Sequence, residues 1–386
     1  MKPGTPSLLR AINDRAALEA LLERGPLTRP EIGTLTGLSK PTASQLLVRL
    51  QEAGLVVLDG IREGLPGRTA EVYRINPAAA YAAALDVTPD RIEARVADLT
   101  GTIVGEYTLP TPRRPAGELV ERLKAALDGA AAPAAPRHVV IGVQAAIDPT
   151  TGKLGYATAK DMPGWQIPDL LPTLSAGLGA PVSVENNVNL VALAEQAGGA
   201  AMGHDDFVLL WADEGLGAAV VLGGRIHRGF SGGAGEVGYM PTPGAPTARE
   251  TGRTDDHGYQ ALTGGRAIHK VLRSYGVRGA DFRQAITAAA RSAKRSEEAR
   301  AGLRDVAARL AVGLAAITSV LDPALIVLTG GAVQAGGETL RELIEHELHA
   351  LTIPQPQVRM SAVEGNPVLA GALGLALDAT REEVFP

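Results

Sequence analysis

Lys40, Thr42, Ser44, Gln45 and Arg49 lie close together in the chain and carry the side-chain types that bond to base edges and phosphates of duplex DNA. They have that use only if a helix turns them outward. Thr28 and Ser39 can each accept a hydrogen bond from the orphan amides of a following turn, and Pro30 and Pro41 stand where a missing N–H costs nothing. Gly37 permits the reversal between them. The spacing therefore predicts a helix through Leu35, a turn at Gly37, and a second helix from Pro41 to Ala53. Leu46, Leu47 and Leu50 form the inward stripe of that second helix and leave Lys40, Thr42, Ala43, Ser44, Gln45 and Arg49 to face outward. An ordinary surface helix pair would show the same caps and stripe.

The next residues favour the DNA reading. Val57 to Gly60 reads as a strand, Ile61 to Gly67 as a glycine-rich tip, and Thr69 to Ile75 as a returning strand, which completes a winged helix-turn-helix. In such a module the wing touches phosphate or the minor groove, and Arg62 and Arg68 are placed for this, Arg68 best because it follows Gly67. The candidate contacts to a double-stranded operator are thus Thr28, Ser39, Lys40, Thr42, Ser44, Gln45, Arg49, Arg62 and Arg68.

Charge is divided along the chain. Residues 1–75 hold ten Lys and Arg against eight Asp and Glu, whereas the remainder holds 27 against 34. The whole carries −5 over 386 residues, which argues against indiscriminate binding to nucleic acid. The sequence contains no cysteine, so disulfides and thiolate metal sites are excluded. It shows neither a long apolar run nor a secretory pattern, so a soluble cytoplasmic protein without a membrane partner is expected.

Asn76-Pro77 marks the first boundary, because a residue before proline is pushed out of helix. Beyond it one plan occurs twice. Tyr81 to Asp86, Arg91 to Leu99 and Thr102 to Leu109 read as a three-stranded meander, followed by a helix and the strand His138 to Val143. Asp206 to Trp211, Leu216 to Leu222 and Arg225 to Gly229 repeat the opening; helices follow, among them Ser296 to Leu321, then the strand Ala324 to Leu328 and the final helix Pro367 to Ala379. The expected fold class is α/β: a winged helix-turn-helix at 1–76, one actin-like, ribonuclease-H-like lobe at 77–200 and a second at 201–386.

Five motifs in order carry a family resemblance: the winged helix, Gly142-Val143 to Asp148, Val184-Glu185-Asn186-Asn187-Val188-Asn189, Gly229 to Gly238 (GFSGGAGEVG) and Leu328-Thr329-Gly330-Gly331-Ala332. Together they resemble the ROK family of repressors, open reading frames and kinases. The resemblance implies a two-lobed body, descended from sugar kinases or shared with them, and the head favours the regulator branch.

Departures from the family pattern imply lost chemistry. Where family kinases carry Asp-x-Gly-Gly-Thr around ATP phosphates, this chain has Asp86-Val87-Thr88-Pro89-Asp90, with a proline that donates no N–H and an added carboxylate. Where the family base is the Asp of Asn-Asp, this chain has Asn187, which takes up no proton. Gly215, Gly217, Gly330 and Gly331 remain and read as turns, while Asp213-Glu214 before them would repel phosphate. The family's zinc ligands are also missing: Tyr239 stands at the His position, 246–258 lacks cysteine, and His257 reads as a lone surface residue. No catalytic residue, metal or cofactor is therefore expected.

Carried over position by position, the sugar-binding residues of the family correspond to Asn186, Asn187, Glu236, Tyr239 and Gln260, the last on the weakest match. The expectation is a DNA-binding regulator, by default a repressor, with a sugar or related small molecule as effector; an ATP-dependent sugar kinase is the alternative. A homodimer or dimer of dimers would match a pseudo-palindromic operator, with Leu303 to Leu321 offered either as its packing surface or as internal core.

Overall fold

The computed structural model describes residues 6–63, 69–111, 118–155, 162, 164–251 and 257–386. It divides into two compact units: Met1–Gly142 with Leu171–Val184 and Ala372–Pro386, and Val143–Leu170 with Glu185–Gly371.

The head opens with a helix outside the expected motif, α1 (Pro6–Arg24), which buries Ala17, Leu18 and Leu21. β1 (Leu27–Thr28) leads into α2 (Arg29–Thr36), where Thr28 and Glu31 form a capping box: the Thr28 amide and hydroxyl both donate to the Glu31 carboxylate at 2.7 Å. Gly37, at φ 69°, ends α2 in the left-handed region. α3 (Lys40–Glu52) starts at Ser39, whose hydroxyl accepts from the Thr42 amide. Ala43 is fully buried with Leu46, Leu47 and Leu50, which corrects its expected outward place; it stands one turn before Leu46 on the same face. β2 (Val56–Glu63) and β3 (Thr69–Ile75) make the wing in the order β1-β3-β2. β2 runs past Gly60, so Ile61 and Arg62 belong to a paired strand and not to the tip. Arg68 lies outside the described residues.

The meander of the first lobe is β4 (Tyr81–Val87), β5 (Arg91–Asp98) and β6 (Ile103–Pro110), followed by α4 (Leu119–Gly129) and β7 (His138–Val143). The short pair β8 (Ala146–Ile147) and β9 (Leu154–Gly155) belongs to the second unit; α5 (Leu170–Leu178) and β10 (Val182–Asn186) return to the lobe's sheet, ordered β10-β7-β4-β5-β6.

The second unit contains α6 (Asn187–Gly198) and a meander of β11 (Phe207–Ala212), β12 (Leu216–Leu222) and β13 (Arg225–Ile226). The last strand stops at Ile226, short of the expected Gly229. Helices α7 (Ala248–Thr251), α8 (Gly258–Thr263), α9 (Gly265–Ser274), α10 (Phe282–Ser292) and α11 (Glu297–Leu321) precede β14 (Leu325–Thr329), α12 (Gly331–Leu351), β15 (Gln357–Met360) and α13 (Pro367–Val384). This sheet is ordered β13-β12-β11-β14-β15, with β14 parallel to β11, the same plan as β7 parallel to β4 in the first lobe. The twofold plan read from sequence is therefore present.

Leu303, Val306, Leu310 and Leu314 of α11 are fully buried against α8, α9, α10 and α12, so the face offered for subunit packing is internal core. Tyr259 sits at its centre, donating its hydroxyl to the Leu310 carbonyl at 2.6 Å. From Ala372 the chain belongs again to the first unit, and Phe385, 5% exposed, joins the hydrophobic core of the head with Ala80 and Leu99.

Candidate nucleic-acid interface and effector site

On the head, Lys40, Thr42 and Gln45 are exposed along the start of α3, and Ser44 is half-buried with its hydroxyl on the Lys40 carbonyl. Ser39 is exposed and bonds Thr42, whereas Thr28 is buried and committed to Glu31. Two expected arginines are engaged elsewhere. The Arg49 guanidinium reaches Asp14 of α1 at 2.5 Å, and Arg62 pairs with Glu31 at 2.9 Å. The sequence reading missed these pairings because neither carboxylate is near its arginine in the chain. The Thr28 groups, then Arg62, hold the Glu31 carboxyl below the usual carboxylate range. Exposed at the N-terminal end of the recognition helix, then, are Lys40, Gln45 and Thr42, the last with its hydroxyl on that of Ser39.

The loop at the ATP-phosphate position of the family is a closed hairpin turn. Thr88 N–H donates to the Arg91 carbonyl at 2.9 Å and the Arg91 N–H to the Thr88 hydroxyl at 3.2 Å, so both amides are already used inside the turn. In the second unit the Gly331 amide, first of α12, donates at 3.0 Å to the Asp213 carboxylate, which also pairs with Arg283. A carboxylate of the chain itself thus holds a helix-terminal donor of the kind a phosphate would need. Asp213, the residue expected to repel phosphate, occupies that donor and is itself paired with Arg283.

The residues expected around an effector all belong to the second unit. Asn186 ends β10 and caps α6, its Oδ1 accepting from Val188 N–H at 2.7 Å while its Nδ2 donates to the Ala145 carbonyl at 3.0 Å. Glu236 lies half-buried in the signature loop, and burial raises its carboxyl above the usual range. These two share a cavity of about 20 Å³ with Val188, Asn189, Gly217, Ala218, Gly232, Ala234 and Gly235. That volume holds about one water.

The loop reaches this position through close backbone approaches. Gly232 and Gly235, at φ 79° and 109°, would place a Cβ at 2.0 Å from the Ile147 carbonyl oxygen and 2.1 Å from that of Ala218.

Asn187, Tyr239 and Gln260 do not line that cavity. Asn187 is buried in the first turn of α6, and Tyr239 is exposed beside the His257 ring, with centroids 5.7 Å apart. Gln260 is spent on the β11–β12 turn, its Oε1 accepting from Leu216 N–H and its Nε2 donating to the Glu214 carbonyl, both at 2.9 Å. His257 is 7% exposed, a correction to its expected surface place, with its ring beside that of Tyr239. Among the described residues no cluster of three or more His, Cys, Asp or Glu could hold a metal ion.

Two charged residues stand at this site that sequence did not single out, Glu185 and Arg228, which pair at 2.6 Å. The available signal was position: Glu185 stands within the Val184 to Asn189 motif, and Arg228 immediately precedes the Gly229 to Gly238 motif.

Comparison with known proteins fits this arrangement. A model of the ROK family matches residues 82–379. The chain belongs to the ROK family. A MarR-family model matches residues 12–63, the winged head. Among relatives, a xylose repressor of Bacillus subtilis is 26% identical over 61% of this chain and 61% of its own length. A xylose repressor of Caldicellulosiruptor bescii is 23% identical over 97% of each chain. Among solved structures, a ROK-family transcriptional regulator homologous to the E. coli Mlc protein superposes with a TM-score of 0.74 at 19% identity, covering 96% of both chains. The ROK hexokinase of Thermus thermophilus covers 78% of this chain and 99% of its own, with a TM-score of 0.65 at 26% identity. That kinase matches a shorter part of this ROK chain than the regulator does. No described helix is long and apolar enough to cross a membrane.

Proposed function

We propose that this ROK protein is a DNA-binding transcriptional repressor whose kinase-like body senses a sugar or sugar derivative and transfers no phosphoryl group. The observation that carries the reading is the Ser39-capped recognition helix, with Lys40, Thr42 and Gln45 exposed at its N-terminal end. In helix-turn-helix modules this end contacts base edges. Asn187 in place of a carboxylate base, the internally bonded Thr88–Arg91 turn and the Asp213 carboxylate on Gly331 support loss of catalysis. The relatives named as xylose repressors make pentoses the first effectors to try.

A cavity of about 20 Å³ is far too small for a pyranose, so effector binding at Asn186 and Glu236 requires the walls to move. A ligand that binds the opened form shifts the protein toward it, which is how a sugar would alter the operator affinity. A homodimer would set two copies of α3 about 34–36 Å apart on a pseudo-palindromic operator.

The test is fluorescence anisotropy with duplexes from upstream of the protein's own gene, over a salt series and with a monosaccharide panel. Specific binding that weakens steeply with salt and is released by one sugar is expected. ATP-dependent phosphorylation of a sugar, abolished by Asn187→Ala, would establish the kinase reading instead.

A further inference from the structure

Glu185 and Arg228 belong to no function described so far, yet both are held in a defined arrangement. The Glu185 side chain is 8% exposed. Its Oε1 accepts from the Asn186 N–H and from Asn189 Nδ2, both at 2.8 Å. Its Oε2 accepts from Arg228 Nε at 2.7 Å and from a terminal guanidinium nitrogen at 2.6 Å. One carboxylate therefore ties together the end of β10, the first turn of α6 and the residue that opens the signature loop. A buried carboxylate with four donors, two of them from one guanidinium, is fully satisfied, and such networks impose one geometry. Arg228 fixes the loop in turn, since its carbonyl accepts from Ala234 N–H at 3.1 Å. Asn186, whose N–H bonds Glu185, and Glu236 both line the small cavity.

We infer that Arg228 is a positioning residue: through Glu185 it sets the distance between Asn186 and the Glu236-bearing loop, and so decides whether the effector site forms. This rests on the effector reading proposed above, but the positioning can be measured without any effector. Arg228→Met removes both guanidinium bonds while keeping length; Arg228→Lys keeps the charge but not the two-point contact. In hydrogen exchange, Arg228→Met is expected to speed exchange of amides in 229–238 at least tenfold, leave the amides of α3 unchanged, and leave operator affinity without sugar within twofold of wild type. Arg228→Lys is expected to restore part of the protection. Glu185→Gln, which keeps the side-chain shape, provides a second variant should Arg228→Met not fold.

Wild-type exchange rates over 229–238 in both variants would overturn the positioning role. Calorimetry with D-xylose and D-glucose then tests its consequence. A sugar that binds wild type is expected to bind Arg228→Met at least tenfold more weakly, and equal affinity would overturn the link to the effector site. If neither sugar binds wild type while exchange responds as expected, the sugar reading fails for those sugars and the positioning of the loop stands.

Discussion

Arg49 and Lys40 lie on one helix with opposite prospects. Arg49 has its guanidinium on a nearly buried Asp14 carboxylate, so Arg49→Ala leaves that carboxylate unpaired and is expected to cost about 1–3 kcal/mol in urea denaturation. Lys40 is exposed at the start of α3, so Lys40→Ala is expected to leave stability unchanged while lowering the slope of log affinity against log salt by about 1. A change in the opposite columns of those two measurements would reverse the assignment of contacts. Glu236 gives a pH prediction. Its folded carboxyl ionises above the unfolded value because burial disfavours the charge. The folded state then binds the proton more readily, so this group's stabilisation is full below the ordinary carboxylate value and is lost as pH rises through the raised one. Glu236→Gln should flatten that decline between acid and neutral pH in denaturant midpoints; an unchanged pH profile would show that Glu236 is not the source. At this scale the sequence was legible where chemistry is local. The Thr28 and Ser39 caps, the Pro89 turn and the altered Asn187 were all visible. The partners of Arg49, Arg62 and Asp213 were not, because each is made by folding between residues distant in the chain.

Among the elements, the signature loop and the last helix show what a motif string leaves out. The glycines of 229–238 could be matched as letters, but their physical reason lies in strands they touch: the Ala218 carbonyl stands where a Cβ on Gly235 would go, at φ 109°. Gly235→Ala therefore meets both an unfavourable backbone region and a carbonyl, and a loss of at least about 1–3 kcal/mol is expected from the backbone strain alone. Thermal unfolding measures it, and a melting temperature equal to wild type would mean that the loop is not seated on β12 as described. The repeated meander was legible from alternation and turn residues, and β4–β6 fell close to the expected bounds. The length of α13 was not. Apolar spacing suggested an end at Ala379, whereas the helix continues to Val384 because the residues beyond have the head to pack on. Arg381 donates to the Leu99 carbonyl at 3.1 Å, and Arg15 of α1 pairs with Glu382.

For the molecule as a whole, this packing changes what the head is. At Asn76-Pro77, read from sequence as the first boundary, Asn76 donates through Nδ2 to the Gly54 carbonyl at 2.7 Å, and Leu99 N–H bonds the Pro77 carbonyl at 3.2 Å. The junction is tied on both sides, and the head shares one compact unit with the first lobe and the C-terminal residues. A winged helix of this kind is not a bead on a string. Its hydrophobic core is completed by Ala80, Leu99 and Phe385, none of which belongs to residues 1–76. Phe385→Ala is expected to cost as much as about 3–5 kcal/mol, the range for a large buried aromatic side chain truncated in a core. A fragment of residues 1–76, lacking all three side chains, is expected to melt well below the full chain and to exchange the amides of α1 and α3 faster. Were the fragment as protected as the head in the intact protein, the shared core would contribute nothing. The head would then be an independent domain, and any signal from the body would have to reach DNA by another route. If the fragment is destabilised as expected, a change in the body that shifts α13 or β5 acts directly on the packing beneath α1 and α3. Operator affinity would then respond to Phe385→Ala even though Phe385 lies among the core residues of the head and not on its exposed α3 face.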